Sequence, residues 1–237
     1  MKQRIKKYLL FISLGINFFI TLPALTIFVL CHDIQFDLYK HLQARLGRPE
    51  IVFIGDSITL GGGIWAYHIG TYNFDVWNYG FGGFTTHQIQ GLAKKASQKG
   101  FHYAFVMAGI NDEDKTVEGA DKTFSDYKVL IQILLDGGVT PIIQLTLYRE
   151  NEQSPEFIDR LNELLINYSR ERGLKVIDLN PVLAPEKSLL PKYSRDGVHL
   201  TEAAYAVWGA KVKATLEDMR SKQVAALDRQ KRMPSSE

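Results

Sequence analysis

The stretch Ile51-Val52-Phe53-Ile54-Gly55-Asp56-Ser57-Ile58-Thr59 decides the fold. Four apolar, mostly β-branched residues in succession read as a strand buried on both faces. The glycine then lets the chain turn sharply. A strand ending this way delivers the Ser57 hydroxyl to the carboxyl edge of a sheet, where open α/β folds build their sites. A serine so placed is a candidate nucleophile, provided that a base and an oxyanion hole are supplied elsewhere in the chain.

Further along, short apolar runs alternate with longer amphipathic ones. The runs predict strands over 51–54, 74–77, 103–107, 140–145 and 174–177, and the 3.6-residue patterns predict helices over 86–98, 122–135, 155–172 and 201–221. Pro155 suits the first turn of its helix, and Gly137, Gly138 and Gly173 stand where helix C-terminal glycines belong. This alternation predicts a three-layer α/β/α architecture, a five-stranded parallel sheet flanked by helices. The α/β domain is expected over 50–219, and the polar stretch 220–237 is expected to be a disordered basic tail.

Composition narrows the function. Apolar residues make up 46% of the 237 and charged residues 23%, values of an ordinary globular protein. The lone Cys31 excludes an intramolecular disulfide and any cysteine-based metal centre, and the six histidines fall in no ligand spacing, so no metal is expected. The net charge of +2 conceals an asymmetry: residues 50–219 hold 16 Lys/Arg against 22 Asp/Glu, and the basic surplus lies at the two ends. A nucleic-acid reader carries its positive charge on the folded domain, so nucleic acid is not expected as a partner.

No charged side chain occurs over 8–31. As a helix, residues 9–30 would span roughly 33 Å, enough to cross a hydrocarbon core of about 30 Å, with Pro23 tolerated as a kink. Lys2, Arg4, Lys6 and Lys7 precede it, so residues 1–31 read as a cytoplasmic basic stub and a transmembrane signal-anchor that leaves the domain outside the cytoplasm. A cleaved signal peptide competes with this reading, but no Ala-x-Ala site follows the run. A lipoprotein signal would want a small residue where Leu30 stands. Residues 32–49 carry a helical stripe closed by Gly47 and Pro49, expected as a juxtamembrane stalk helix.

Three clusters could serve Ser57. Asn78-Tyr79-Gly80-Phe81-Gly82-Gly83-Phe84-Thr85 follows the second strand; its glycines leave N–H groups free beside a helix start, or simply make a tight turn. Gly109-Ile110-Asn111-Asp112 follows the third strand, and its asparagine is either a neutral donor to an oxyanion or a cap. Asp196-Gly197-Val198-His199 precedes the last helix, where the aspartate can reach back to the imidazole or the histidine can be a solvated surface residue.

Taken together and in this order, the four blocks resemble the SGNH/GDSL hydrolases, and the resemblance covers residues 51–219. It implies Ser57 as nucleophile and first oxyanion donor through its N–H, Gly83 as the second donor and Asn111 as the third. It also implies His199 as general base, Asp196 as its orienting acid, and a reaction that needs neither metal nor organic cofactor. Asp56 and Asp112 are expected to brace their loops. The chain departs from the usual pattern at Gly83-Phe84-Thr85, where Phe84 with Tyr79 and Phe81 makes the lip of the site apolar, and at Gly61-Gly62-Gly63, which predicts a loose turn after the nucleophile. No Gly-x-Ser-x-Gly is present, against an ordinary α/β-hydrolase elbow. Tyr148, Arg149, Trp65 and Tyr67 could line a pocket or simply pack.

The expected activity is that of a serine esterase acting through an acyl-enzyme on a small ester or acylated glycan, O-acetyl groups of an envelope carbohydrate first. Lysophospholipid or another acyl ester is the second substrate class. An envelope O-acyltransferase with the same triad, and a binding protein on an inactive hydrolase scaffold, are the rival functions.

Overall fold

Strand β1 (Ile51–Gly55) is buried along its whole length, which its unbroken apolar run requires. The computed structural model describes residues 50–70 and 75–232, with side chains through residue 225. Four more strands pair in parallel with β1: β2 (Val76–Gly80), β3 (Tyr103–Val106), β4 (Thr140–Gln144) and β5 (Lys175–Ile177), in the order β2-β1-β3-β4-β5. Gly55 lies level with Gly80 in the β1–β2 register, and Ile54 lies level with Val106 in β1–β3. The loops after β1, β2 and β3 therefore open at one edge of the sheet.

The helices are α1 (Ser57–Gly61), α2 (Trp65–His68), α3 (Thr86–Lys99), α4 (Val117–Asp136), α5 (Pro155–Arg172), α6 (Asn180–Leu183) and α7 (Glu202–Arg232), with a 3-10 turn at Pro191–Tyr193. The neighbours α3, α4 and α5 pack side by side, and α2 packs with α7, giving the three-layer α/β/α arrangement expected from the sequence. Phe53 of β1 stacks on Trp65 with ring centroids 3.9 Å apart and on Phe105 at 5.0 Å, and Trp65 meets Trp208 edge-on at 4.7 Å. These aromatic contacts join sheet, α2 and α7 in one buried unit, each pair adding about 0.5–1.5 kcal/mol beyond its area.

The structure corrects several sequence-based boundaries. β2 runs through Asn78-Tyr79-Gly80, which the sequence reads as loop, because these residues pair in register with Phe53-Ile54-Gly55 of β1, and the polar Asn78 side chain finds a partner in the Leu60 carbonyl of α1. α4 begins five residues before the expected start; Thr116 caps it, its Oγ1 accepting from Gly119 N–H at 3.0 Å. α7 continues to Arg232 rather than giving way to a disordered tail at 220. The Ala, Gln, Lys and Arg residues there are strong helix formers, no glycine or proline interrupts them before Pro234, and Asp218 pairs with Lys222 one turn on. Among the described residues no helix is long and apolar enough to cross a membrane. The anchor and stalk expected over 1–31 and 32–49 lie outside those residues.

Candidate active site

Ser57 is the first residue of α1, and the fold forces it there. A Cβ on Gly55 would lie 2.2 Å from Thr59 Oγ1 and 2.5 Å from the Met107 carbonyl, so only glycine permits this close approach. Asp56 caps α1, its Oδ1 accepting from Ile58 N–H at 2.9 Å. The carboxyl is 1% exposed and its Oδ2 has no partner among the described residues; burial lifts its pKa to about 6. Asp56 thus braces the loop that carries Ser57, as expected.

Helix α1 ends at Gly61, after little more than one turn, and its carbonyls are taken up from outside. Asn78 Nδ2 donates to the carbonyls of Thr59, Leu60 and Gly63 at 3.3, 3.1 and 3.0 Å. Trp65 Nε1 donates to Thr59 O at 3.1 Å, and the Tyr205 hydroxyl to Ile58 O at 2.7 Å. The three-glycine run is therefore loose in sequence but tethered in space. Asn78 had one sequence signal, an amide in the middle of a strand where asparagine is uncommon. Tyr205 had none.

His199 and Asp196 sit together on an irregular segment before α7. The backbone turns at Gly197, whose φ is +93°, and Ser194 Oγ accepts from Gly197 N–H at 2.7 Å. Asp196 Oδ1 accepts from Val198 N–H at 3.1 Å and His199 N–H at 2.8 Å, while Oδ2 faces His199 Nδ1 at 2.7 Å. These hydrogen bonds, led by that from His199 N–H, hold the Asp196 carboxyl down at about 2. A carboxylate there assigns the proton to Nδ1 and leaves the Nε2 lone pair facing outward. His199 Nε2 stands 3.0 Å from Ser57 Oγ. Serine, imidazole and carboxylate are in line.

Of the expected oxyanion donors, Ser57 N–H is the first of its helix and has no intrahelical acceptor. Gly83 has φ +76°, a left-handed conformation that favours glycine, and its N–H donates to no backbone carbonyl among the described residues. Asn111 Nδ2 spends one hydrogen on Phe84 O at 3.1 Å, which leaves the other free to donate. Asp112 braces the next turn: its Oδ2 accepts from Thr86 N–H at 3.1 Å and Thr86 Oγ1–H at 2.7 Å. Phe81 N–H donates to Gly55 O at 3.0 Å, and the rings of Phe81 and Phe84 lie 4.1 Å apart on the rim, with Phe81 53% exposed.

The four residues that could line a pocket or pack are divided by the structure. Trp65 and Tyr148 are buried and packed, Tyr67 is exposed, and Arg149 donates to a loop carbonyl. No group of His, Cys, Asp or Glu among the described residues is arranged to hold a metal ion.

A five-stranded α/β/α sandwich with a Gly-Asp-Ser turn after β1 and Asp-x-x-His before the last helix defines an acylhydrolase of the GDSL type. The chain belongs to the GDSL-like lipase/acylhydrolase family, whose model matches residues 53–207. It is also similar to an N-acylneuraminate cytidylyltransferase of Streptococcus agalactiae serotype V, at 26% identity over 171 residues. That match covers 70% of this chain but only 39% of the relative's length. Among solved structures, a GDSL-like lipase from Bacteroides thetaiotaomicron superposes with a TM-score of 0.64 at 20% identity, over 78% of this chain and 98% of that one. A mutant acetyl-xylooligosaccharide esterase from Geobacillus stearmophilus superposes at 0.56 with 22% identity, over 70% and 93%. These structures share the fold.

Proposed function

We propose that this chain is a serine esterase that removes acyl groups, acetyl first, from an acylated carbohydrate. The observation that carries the reading is the line from Ser57 Oγ to His199 Nε2 at 3.0 Å and from Nδ1 to Asp196 Oδ2 at 2.7 Å. His199 takes the Ser57 proton as Oγ attacks the ester carbonyl, and the carbonyl oxygen becomes an anion held by Ser57 N–H, Gly83 N–H and Asn111 Nδ2. The imidazolium passes its proton to the departing alcohol, leaving an acyl group on Ser57. Water, deprotonated by the same imidazole, then releases the acid and restores the serine.

Accessibility favours a bulky glycan. The His199 and Asp196 side chains are 41% and 55% exposed, so the reacting atoms lie at a surface that a polymer can reach. Acylated sugars also figure in the names of two similar proteins, the N-acylneuraminate enzyme and the acetyl-xylooligosaccharide esterase. The exposed Phe81, its ring against the partly buried Phe84, favours a second class, lysophospholipid or another longer acyl ester. The uncharged stretch 8–31 supports a membrane anchor that holds the domain in the envelope. Protease accessibility of the domain in intact spheroplasts tests that placement.

The decisive experiment compares hydrolysis of acetyl, butyryl and octanoyl 4-nitrophenyl esters and of acetylated xylan, with and without a sugar acceptor, alongside Ser57→Ala. Acetyl selectivity lost in Ser57→Ala supports the reading, and acyl transfer to the acceptor redirects it to an O-acyltransferase. Undiminished turnover in Ser57→Ala, or failure of a fluorophosphonate probe to label Ser57, overturns it.

A further inference from the structure

Three consecutive carbonyls lead into Asn111, and each is held by a side chain from elsewhere or from the far side of the loop. Thr146 Oγ1 donates to Ala108 O at 2.6 Å. Lys115 Nζ donates to Gly109 O at 3.1 Å and to Ile110 O at 2.8 Å, and Arg149 Nη2 donates to the same Ile110 carbonyl. That carbonyl belongs to the peptide group whose nitrogen is Asn111's own, so fixing it fixes where the asparagine begins. The far end of Asn111 is fixed separately, by Phe84 O.

The two cations are unusual in their partners. Neither forms an ion pair among the described residues; both spend hydrogen bonds on neutral carbonyls, and Arg149 Nε is buried without a partner. Both cations are thus committed to the loop backbone rather than to a carboxylate. We infer that Lys115 and Arg149 are positioning residues for Asn111: by fixing the carbonyls that lead into it, they aim its amide at the ester oxygen. The inference rests on the reading of Asn111 as an oxyanion donor.

The pair also confers a pH dependence. Facing the Lys115 ammonium are Arg149 and Glu152 from the β4–α5 connection, Asp112 from its own loop, Asp56 from the end of β1, and the Phe157 ring of α5 at 4.5 Å. Burial first, then Arg149, lowers the ammonium to about 8. Above that pH Lys115 loses its charge, its hydrogen bonds to the Gly109 and Ile110 carbonyls weaken, and Asn111 loses part of its hold. Turnover should therefore decline on the alkaline side.

The test is steady-state hydrolysis of 4-nitrophenyl acetate by the full chain across pH 6–10, with spontaneous hydrolysis subtracted, for the wild type, Lys115→Met, Lys115→Arg and Ser57→Ala. Lys115→Met should lower kcat about 10- to 100-fold with KM nearly unchanged, and should lose the alkaline decline. Lys115→Arg, charged throughout, should recover part of kcat with no alkaline limb. Should Lys115→Met fail to fold, the wild-type and Lys115→Arg profiles decide. An alkaline limb that persists in the Lys115 variants, or a normal kcat in Lys115→Met beside an inactive Ser57→Ala, overturns this inference alone. Retained turnover in Ser57→Ala overturns the site reading together with it.

Discussion

The Tyr205 hydroxyl donates to the Ile58 carbonyl at 2.7 Å, so the helix that follows His199 is hydrogen-bonded to the helix that Ser57 begins. The two residues are separated by 147 positions, and Tyr205 is buried. This bond sets the helix that Ser57 begins against the segment that carries His199. Tyr205→Phe should destabilise the fold by about 1–3 kcal/mol, the penalty for leaving a buried carbonyl unpaired. It should also lower kcat while KM holds, because the Ser57–His199 distance loses a support. Urea denaturation and steady-state kinetics measure the two effects; unchanged kcat would show that the tie is structural only.

Asn111→Ala removes the only side-chain donor of the proposed oxyanion hole. Turnover should fall about 10²–10³-fold. The fold should survive, since the loop carbonyls keep Thr146, Lys115 and Arg149 as partners. Circular dichroism and ester hydrolysis together check this, and a drop under tenfold counts against the assignment.

Asp196, held at about 2, is a carboxylate throughout the working range and so remains able to orient the imidazole. Asp196→Asn keeps the shape but no longer fixes the tautomer. Its kcat should drop by up to about 10⁴-fold with little change in stability.

Asp56 carries the opposite shift. Its folded-state carboxyl titrates at about 6, above the ordinary 3.8, so the folded protein binds this proton more tightly than the unfolded chain does. Stability from Asp56 is therefore greatest below the unfolded value and is lost as pH rises through the folded one. Asp56→Asn should gain on the order of 2 kcal/mol relative to wild type between about pH 4 and 7. Denaturant midpoints of both proteins at the two pH values give the difference directly, and a constant offset refutes it.

The elements that were legible in the sequence are local ones. The run ending in Gly55 and Asp56 specifies its strand, turn and cap within six residues, and Asp196 and His199 are three positions apart. The unread parts act through tertiary contacts. Asn78 caps a helix 15 to 19 positions away, and Lys115 and Arg149 converge on one carbonyl from two different connections. The far end of α7 is hard to read for another reason: a polar composition resembles disorder, whereas Ala, Lys, Gln and Arg favour helix when docked residues upstream have already nucleated it.

Asp196 and His199 come on one four-residue turn that its own backbone N–H groups organise, and only the step from His199 to Ser57 spans the chain, 142 positions. During synthesis Ser57, its cap and all five strands of the sheet precede His199, the proposed base. Until the segment after the 3-10 turn has emerged and α7 has docked through Tyr205 and Trp208, the nascent chain holds a serine with no base. On the proposed mechanism, hydrolytic competence arrives in one late event, and it departs in one event if α7 detaches.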